Sequence, residues 1–545
     1  MIRCIRAGKS TGPLSPFMSL AGRLAASGNA LIACLRKLEQ TPPSYYGLAV
    51  VCSDRSLAGA KKDAMFDYVQ QYWPYAATSF VVVVSAVLLA SVILHKRNER
   101  AAIAWVGLIL LSPIIGSIAY LLLGINRIRR RAVRVRPHAM SPATSSMSAN
   151  CSMAIADREG GVGIHRELTQ LTDALATNRL TPANAITPLV NGDAAYSEMV
   201  QAIESATRSL CFEAYIFNYD SVGREFVAAL GGAVARGVEV RVLIDGVGQV
   251  YSWPPLVRAL RAAKIPHARF MYSLWPWQMP YLNLRNHQKI LVIDGEVGFT
   301  GGMNISAWNR TEAALRRRVR DIHFKVEGPL VAHLSEAFAD DWHITTKETL
   351  IGDSWFPPLT GQGTVVARGI PSGPHESVER VRWIIAAAIS EARQSLRVMT
   401  PYFLPDETLA AGLRLAALRG VEVDIILPEK TNLAFVTWAA MARLDELINV
   451  GCRIWLGPQP FNHSKIMLVD ECWALVGSSN WDPRSLSLNF EFNVECQGSE
   501  LVTQLGGIFA TELSQSRRLT LDDLKSRNLI VKLRDGIARL FSPYL

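Results

Sequence analysis

One nine-residue pattern occurs twice, and it constrains this chain more than any other feature. The first copy reads Asn286-His287-Gln288-Lys289-Ile290-Leu291-Val292-Ile293-Asp294, and the second Asn462-His463-Ser464-Lys465-Ile466-Met467-Leu468-Val469-Asp470. Both fit H-x-K-x4-D. Each has an Asn 17 residues after its His: Asn304 closes Gly301-Gly302-Met303-Asn304, and Asn480 closes Gly477-Ser478-Ser479-Asn480. A single such pattern is weak. Two copies with the same trailing turn are not, and of ten histidines only His287 and His463 sit in it.

The repeat extends upstream. Arg208-Ser209-Leu210 opens a strand-like run through Phe217, as Gln394-Ser395-Leu396 does through Phe403. Arg236-Gly237-Val238-Glu239-Val240 is echoed by Arg419-Gly420-Val421-Glu422-Val423. The offset falls from 186 at Ser209/Ser395 to 183 at Arg236/Arg419 and 176 at the histidines. A slowly drifting offset is one duplicated domain with loop insertions. Strand–helix–strand alternation predicts an α/β fold with right-handed crossovers and a mixed or parallel sheet in each copy. The halves are placed at 186–348 and 364–515, with a linker over 137–185 before them and a tail over 516–545 after them.

The apolar run after each Lys predicts a buried strand. Residues two apart on a strand share a face, so each His lies beside its Lys. A copy then supplies a titratable ring, a cation and an amide. Two facing copies supply the set a phosphodiester needs: a nucleophile, an acid for the leaving oxygen, and donors around the charged phosphorus. A further carboxylate follows each motif, Asp321 at 34 residues past His287 and Glu491 at 28 past His463. Asp294 and Asp470, a strand length from the rings, read as scaffold-holding. Tyr215, Tyr402 and Glu213 fall at strand ends, with ordinary packing the favoured role.

These residues resemble the phospholipase D superfamily, whose signature is the paired HKD motif, and within it the bacterial cardiolipin synthases, over roughly Met65 to Leu545. Gly302 departs from the pattern, where the second copy has Ser478. The resemblance implies two facing domains with the site between them. One His forms a phosphohistidine, His287 being the nucleophile and His463 the acid/base. Asp321 and Glu491 bond the far ring nitrogens, and Lys289, Lys465, Asn304 and Asn480 hold phosphoryl oxygens, with Ser478 as a hydroxyl on the phosphate side. The implied reaction is phosphatidyl transfer between two phosphatidylglycerols, giving cardiolipin and glycerol. The expected partners are that lipid, other anionic phospholipids and the membrane, with no nucleic acid and no obligate protein partner. A hydrolytic phospholipase D, a nucleic-acid phosphodiesterase and a silent lipid-binding module are the alternatives. No cofactor and no metal are expected, since no ligand-spaced Cys/His/Asp cluster flanks either motif.

Composition fits a membrane setting. Hydrophobic residues make up 49% of the 545, and the net charge of +10 favours an anionic partner. The eight cysteines are scattered without C-x-x-C, which fits a reducing compartment. Ala76 to Leu94 and Ala101 to Asn126 are uncharged runs of 19 and 26 residues. Either can cross a core of about 30 Å, so 65–136 reads as a two-span hairpin. Six arginines between Arg127 and Arg136 follow it. Counting positive charge places the catalytic part on the cytoplasmic side of a bacterial inner membrane. Up to Lys37 there are six Lys/Arg and no acid, which looks like a transit peptide; the favoured reading is a true start at Met65, with 1–64 an uncertain extension. The aromatic stretch Met271 to Tyr281 suits acyl chains or packing, and less well stacked bases.

Overall fold

The computed structural model describes residues 46–96, 99–121, 166–272, 284–311, 318–374 and 379–542. The arginine run after Asn126, most of the 137–185 linker and most of the aromatic stretch before the first motif lie outside these residues. The chain divides into two units, 1–125 and 126–545.

The first unit is helical. A 50-residue helix runs Tyr46–His95, and its 30-residue segment Phe66–His95 is apolar and long enough to cross a membrane. Glu99–Leu111 and Pro113–Ala119 form the returning arm. The second apolar run is therefore two helices that meet at Ser112–Pro113. Pro113 has no N–H to continue the ladder, and its ring disfavours helical backbone at Ser112. The arms pack through Leu88, Val92, Ile109 and Tyr120. Ser85 and Ser117 meet between them at 3.2 Å.

The second unit is built on one sheet. In chain order the first half contributes β1 (Thr181–Val190), β2 (Ser209–Ala214), β3 (Glu239–Asp245), β4 (His267–Phe270), β5 (Ile290–Ile293), β6 (Val297–Gly301), β7 (Val319–Arg320) and β8 (Ile322–Glu327). The second half contributes β9 (Val365–Ser372), β10 (Ser395–Met399), β11 (Glu422–Pro428), β12 (Arg453–Gly457), β13 (Phe461–Asn462), β14 (Ile466–Val469), β15 (Trp473–Gly477), β16 (Glu491–Gln497) and β17 (Arg517–Leu519). The strand order is β17-β12-β11-β10-β14-β15-β16-β9-β1-β8-β6-β5-β2-β3-β4, so the halves mirror one another across the β9–β1 junction. In each half three parallel strands, β2-β3-β4 and β10-β11-β12, come from helical crossovers. Antiparallel pairing continues the sheet through β5-β6-β8-β1 and β14-β15-β16-β9, and β7 and β13 form a separate parallel pair. This is the mixed sheet the repeat predicts. The tail is part of it, since β17 adds to the β12 edge.

Each half has an apolar layer of its own on one face of the sheet, around Phe212 and Phe226 in one and Leu396 and Ile425 in the other. The remaining face is shared. Leu334 and Phe338 from helix Leu330–Thr346 and Leu505 and Phe509 from helix Ser499–Gln515 lie in one cluster with Ile290, Phe324, Ile466 and Phe492. Every residue of β5 and β14 is buried. Burial of one such aliphatic side chain contributes about 1.5–3 kcal/mol. The motif strands are therefore fixed by the core on both faces.

Candidate active site

Each motif is fastened at its far end by its aspartate. The β5–β6 turn has Asp294 at φ 53° and Gly295 at φ 70°, and the β14–β15 turn has Asp470 and Glu471 at 48° and 58°. Two consecutive left-handed residues are the turn that matches strand twist, and Asp tolerates that region. The Asp294 carboxylate accepts from the backbone N–H of Thr207, Arg208 and Ser209, at 2.9, 2.7 and 2.9 Å. Asp470 accepts from Arg393, Gln394 and Ser395 at 2.7, 2.7 and 2.8 Å. Both tie the start of the neighbouring strand, β2 or β10, to the motif hairpin. They stand apart from the rings at the other end of the strand.

At that other end the halves interlock. His287 N–H donates to Phe490 O at 2.8 Å, and Phe490 N–H to Arg285 O at 2.9 Å. His463 N–H donates to Arg320 O at 2.7 Å, and β13 pairs with β7. Phe490 and Arg320 immediately precede Glu491 and Asp321. The backbone pairing thus delivers each acid to the other half's histidine: His287 Nδ1 meets Glu491 Oε2 at 2.9 Å, and His463 Nδ1 meets Asp321 Oδ2 at 2.8 Å. A carboxylate accepting from Nδ1–H leaves Nε2 as the lone-pair nitrogen.

The lysines close over the rings. Lys289 Nζ donates to His287 O at 2.6 Å. Lys465 Nζ bonds His463 O and lies 2.9 Å from Nδ1 of the same ring. All four side chains are buried. Burial, followed by the charges of Lys289 and Lys465, holds His287 well below the ordinary imidazole value. Burial and then Lys465 hold His463 at about 4. Burial also lowers Lys289 to about 7 and Lys465 to about 8. The two acids differ. Burial pushes Asp321 up, but Lys465 and the His463 bond outweigh it and keep it below the usual range. Burial raises Glu491 to about 7 against the pull of Lys289. An anionic phosphodiester bound beside the two buried lysines would favour their charged forms.

The turns behind the motifs are paired with the acids. Ser478 Oγ donates to Glu491 Oε2 at 2.5 Å, so its hydroxyl supports the carboxylate instead of facing the phosphate side as expected. Gly302 takes the same place under Asp321, where an added Cβ would stand 2.5 Å from Oδ1. A shorter acid goes with the residue lacking a side chain, and a longer one with the hydroxyl. Asn304 accepts from Ile216 N–H at 3.3 Å. Asn480 donates to Ser485 at 3.2 Å and keeps its buried Oδ1 without a hydrogen-bond partner.

Sequence reading undervalued several neighbours. The Tyr215 ring stands edge-on to His287 with centroids 4.9 Å apart, and Tyr402 to His463 at 6.1 Å. Asn286 donates to Glu213 and to Asp341 Oδ2 at 2.8 Å, and its N–H donates to Asp245 at 2.8 Å. Gln288 donates to the same Asp341 oxygen at 2.9 Å. In the second half Asn462 donates to Met399 Sδ at 3.5 Å. Met399 occupies the position of Glu213 in the repeat, and that difference was the available signal.

Comparison with known proteins agrees with this architecture. The family described as "Cardiolipin synthase, PLD-like domain" matches residues 199–342 and 385–513, and "Phospholipase_D-nuclease N-terminal" matches 83–124. A cardiolipin synthase of Alkalihalophilus pseudofirmus is 30% identical over 486 residues, covering 87% of this chain and 95% of that protein. Cardiolipin synthase 2 of Staphylococcus epidermidis is 30% identical over 482 residues, covering 85% and 98%. A phosphatidylserine synthase structure from Haemophilus influenzae superposes with a TM-score of 0.56 at 14% identity, over 70% of this chain and 100% of that one, a likeness of fold alone. With two interlocked copies of the motif and relatives matched over nearly their whole length, this chain belongs to the cardiolipin synthase family of phospholipase D-like proteins.

Proposed function

We propose that the chain is a membrane-bound cardiolipin synthase that moves the phosphatidyl group of one phosphatidylglycerol onto the terminal hydroxyl of another. The observation that carries this is the buried site itself: two imidazoles, each oriented through Nδ1 by the opposite half's carboxylate, under two lysines. In the first displacement His287 Nε2 attacks phosphorus. The P–O bond to glycerol breaks, and His463 gives its proton to the departing oxygen. In the second, the acceptor hydroxyl passes its proton to His463 and attacks phosphorus, and the P–N bond breaks. Lys289 and Lys465 bind the non-bridging oxygens throughout, and binding that anion raises the pKa of His463 towards the protonated form it needs.

The finer setting also belongs to this reading. Two spans, a bacterial inner membrane and a cytoplasmic catalytic unit follow from the two apolar runs and the arginines after them. No obligate protein partner is required, and the lysines supply the positive charge a metal would otherwise bring.

The test is trapping. Full-length protein in phosphatidylglycerol bilayers labelled in the acyl chains should carry acid-labile label on His287, and none in H287A. H287A and H463A should each lose at least about 10³-fold in cardiolipin formation. Label on His463 would reverse the two roles. Phosphatidic acid as the main product would move the assignment to a hydrolytic phospholipase D, and cleavage of DNA with no lipid turnover to a nuclease.

A further inference from the structure

We propose that the cavity beside His463 is the subsite for the phosphodiester of the acceptor lipid; this rests on the transfer reading above and specifies it. The cavity has a volume of about 320 Å³, against a lower limit of about 300 Å³ for small-molecule pockets. Arg318 comes from the first half, and Lys430, Thr431, Asn432, Gln459 and Phe461 from the second. The Phe461 ring is 5.7 Å from the His463 ring. Tyr402, edge-on to His463, donates its hydroxyl to Asn432 at 2.5 Å. Arg318 donates to Thr311 O at 3.1 Å, and among the described residues neither it nor Lys430 is paired with a carboxylate. At the repeat offset that pairs Arg236 with Arg419, Lys430 and Asn432 correspond in sequence to Val247 and Gln249 of the other half, so the cation is not common to both copies.

The reaction needs a cation on that side. His463 takes the proton of the incoming hydroxyl, so the acceptor's glycerol lies on the His463 side of phosphorus. Its own phosphodiester then lies one glycerol further out. That second phosphate is what distinguishes phosphatidylglycerol from glycerol or water. Arg318 and Lys430, one from each half, line this one cavity and carry the charge that recognises it through charge-assisted bonds.

The experiment compares two acceptors in full-length protein in bilayers. Cardiolipin formation uses the charged acceptor, and exchange of labelled glycerol into phosphatidylglycerol uses a neutral one. R318Q/K430Q should lose cardiolipin formation by about tenfold or more, as loss of a charge-assisted contact implies, with less than about threefold loss of exchange. R318K/K430R should recover most of it. Equal loss of both reactions, or loss of neither, overturns the subsite. Exchange without any cardiolipin in the wild-type protein overturns the transfer reading, and the subsite with it.

A second surface carries an independent inference. We infer that helix Leu529–Leu540 lies in the headgroup layer of an anionic bilayer. It packs on the catalytic unit through Asp535 and Ala538, both buried, and Asp535 is clamped by Arg527 and Arg534 at 2.6 and 2.7 Å. Its apolar stripe points the other way. Leu529, Ile530, Leu533, Ile537 and Leu540 are 56–78% exposed, an inversion of the usual amphipathic helix. Exposed Lys532, Arg534 and Arg539 flank the stripe. An apolar stripe bordered by cations matches the surface of an anionic membrane. A fluorophore at Ile537→Cys in full-length protein, with labelled wild type as background, should shift to the blue in phosphatidylglycerol vesicles and be quenched by spin-labelled lipid. L533E/I537E should lower turnover in bilayers more than turnover of a soluble phosphodiester. A probe that stays in water overturns the inference, as does a shift that follows cross-linking between copies through position 537.

Discussion

Gly302 gives the most discriminating perturbation. G302S would copy into the first half the residue that the second half has in Ser478. The added Cβ would stand 2.5 Å from Asp321 Oδ1 and 2.9 Å from Oδ2, so the carboxylate must move. The contact it leaves is the 2.8 Å bond to His463. A hydrogen bond to a charged group is worth about 1.5–3 kcal/mol. If the bond is lost in the transition state, kcat falls roughly ten- to 150-fold. D321E alone places a longer acid over a position with no hydroxyl to steady it, and should also lower kcat. G302S/D321E rebuilds the Ser478–Glu491 pair, so the double variant should be faster than either single one. The assay is cardiolipin formation by full-length protein in phosphatidylglycerol bilayers, read as a double-mutant cycle. Near-wild-type activity in G302S would refute the packing argument. A double variant whose loss equals the summed losses of the singles would refute the pairing of turn and acid.

Other outcomes follow from the same geometry. D294N and D470N should lower thermal stability, by about 1–3 kcal/mol where backbone donors lose a charged acceptor, yet keep the pH profile of the remaining activity; a displaced pH profile would place the aspartates in the chemistry. As pH rises through the values of Lys289 and Lys465, about 7 and about 8, the phosphate-binding charge disappears and kcat/KM should fall. His287 is held well below 6.5, so the acid limb should lie well below pH 6.5 in the free enzyme; an acid limb centred at or above 6.5 would contradict that shift, and a flat profile from pH 6 to 9 would contradict the lysine shifts. Exhaustive chelation should leave cardiolipin formation in place, and loss rescued by one divalent ion would count against lysines as the phosphate-binding cations.

The fold was largely legible because duplication writes every element twice. Drift of the repeat offset exposed the two halves, and the apolar runs Ile290–Ile293 and Ile466–Val469 marked the central strands. The histidines and lysines were legible for the same reason. The crossed pairing was not. Asp321 follows His287 in sequence and serves His463, because the partner is chosen by backbone bonds at Arg320 and Phe490 that no local pattern records. Ser478 read as a phosphate ligand because a hydroxyl near the motif has no visible direction in sequence. The buried cluster of Glu213, Asp245 and Asp341 around Asn286 was hidden because acids from β2, β3 and a distant helix converge only in three dimensions. The break between Glu99–Leu111 and Pro113–Ala119 inside the second apolar run was not read either, since a count of uncharged residues does not record what Pro113 does to the helix.

The crossing of the acids has a consequence for ancestry. A lone half would carry a histidine without the carboxylate that orients it, and a carboxylate with nothing to orient. Such a half would lack an oriented histidine until it met another, so the arrangement is the one that a symmetric pair of identical halves would make. Carrying both in one chain releases the copies from identity. Once one gene encodes both, a change at Gly302 or Asp321 no longer recurs at Ser478 or Glu491. Two imidazoles that began as equals can then specialise, one for bonding phosphorus and one for carrying protons. Separately expressed halves should therefore regain activity only when mixed.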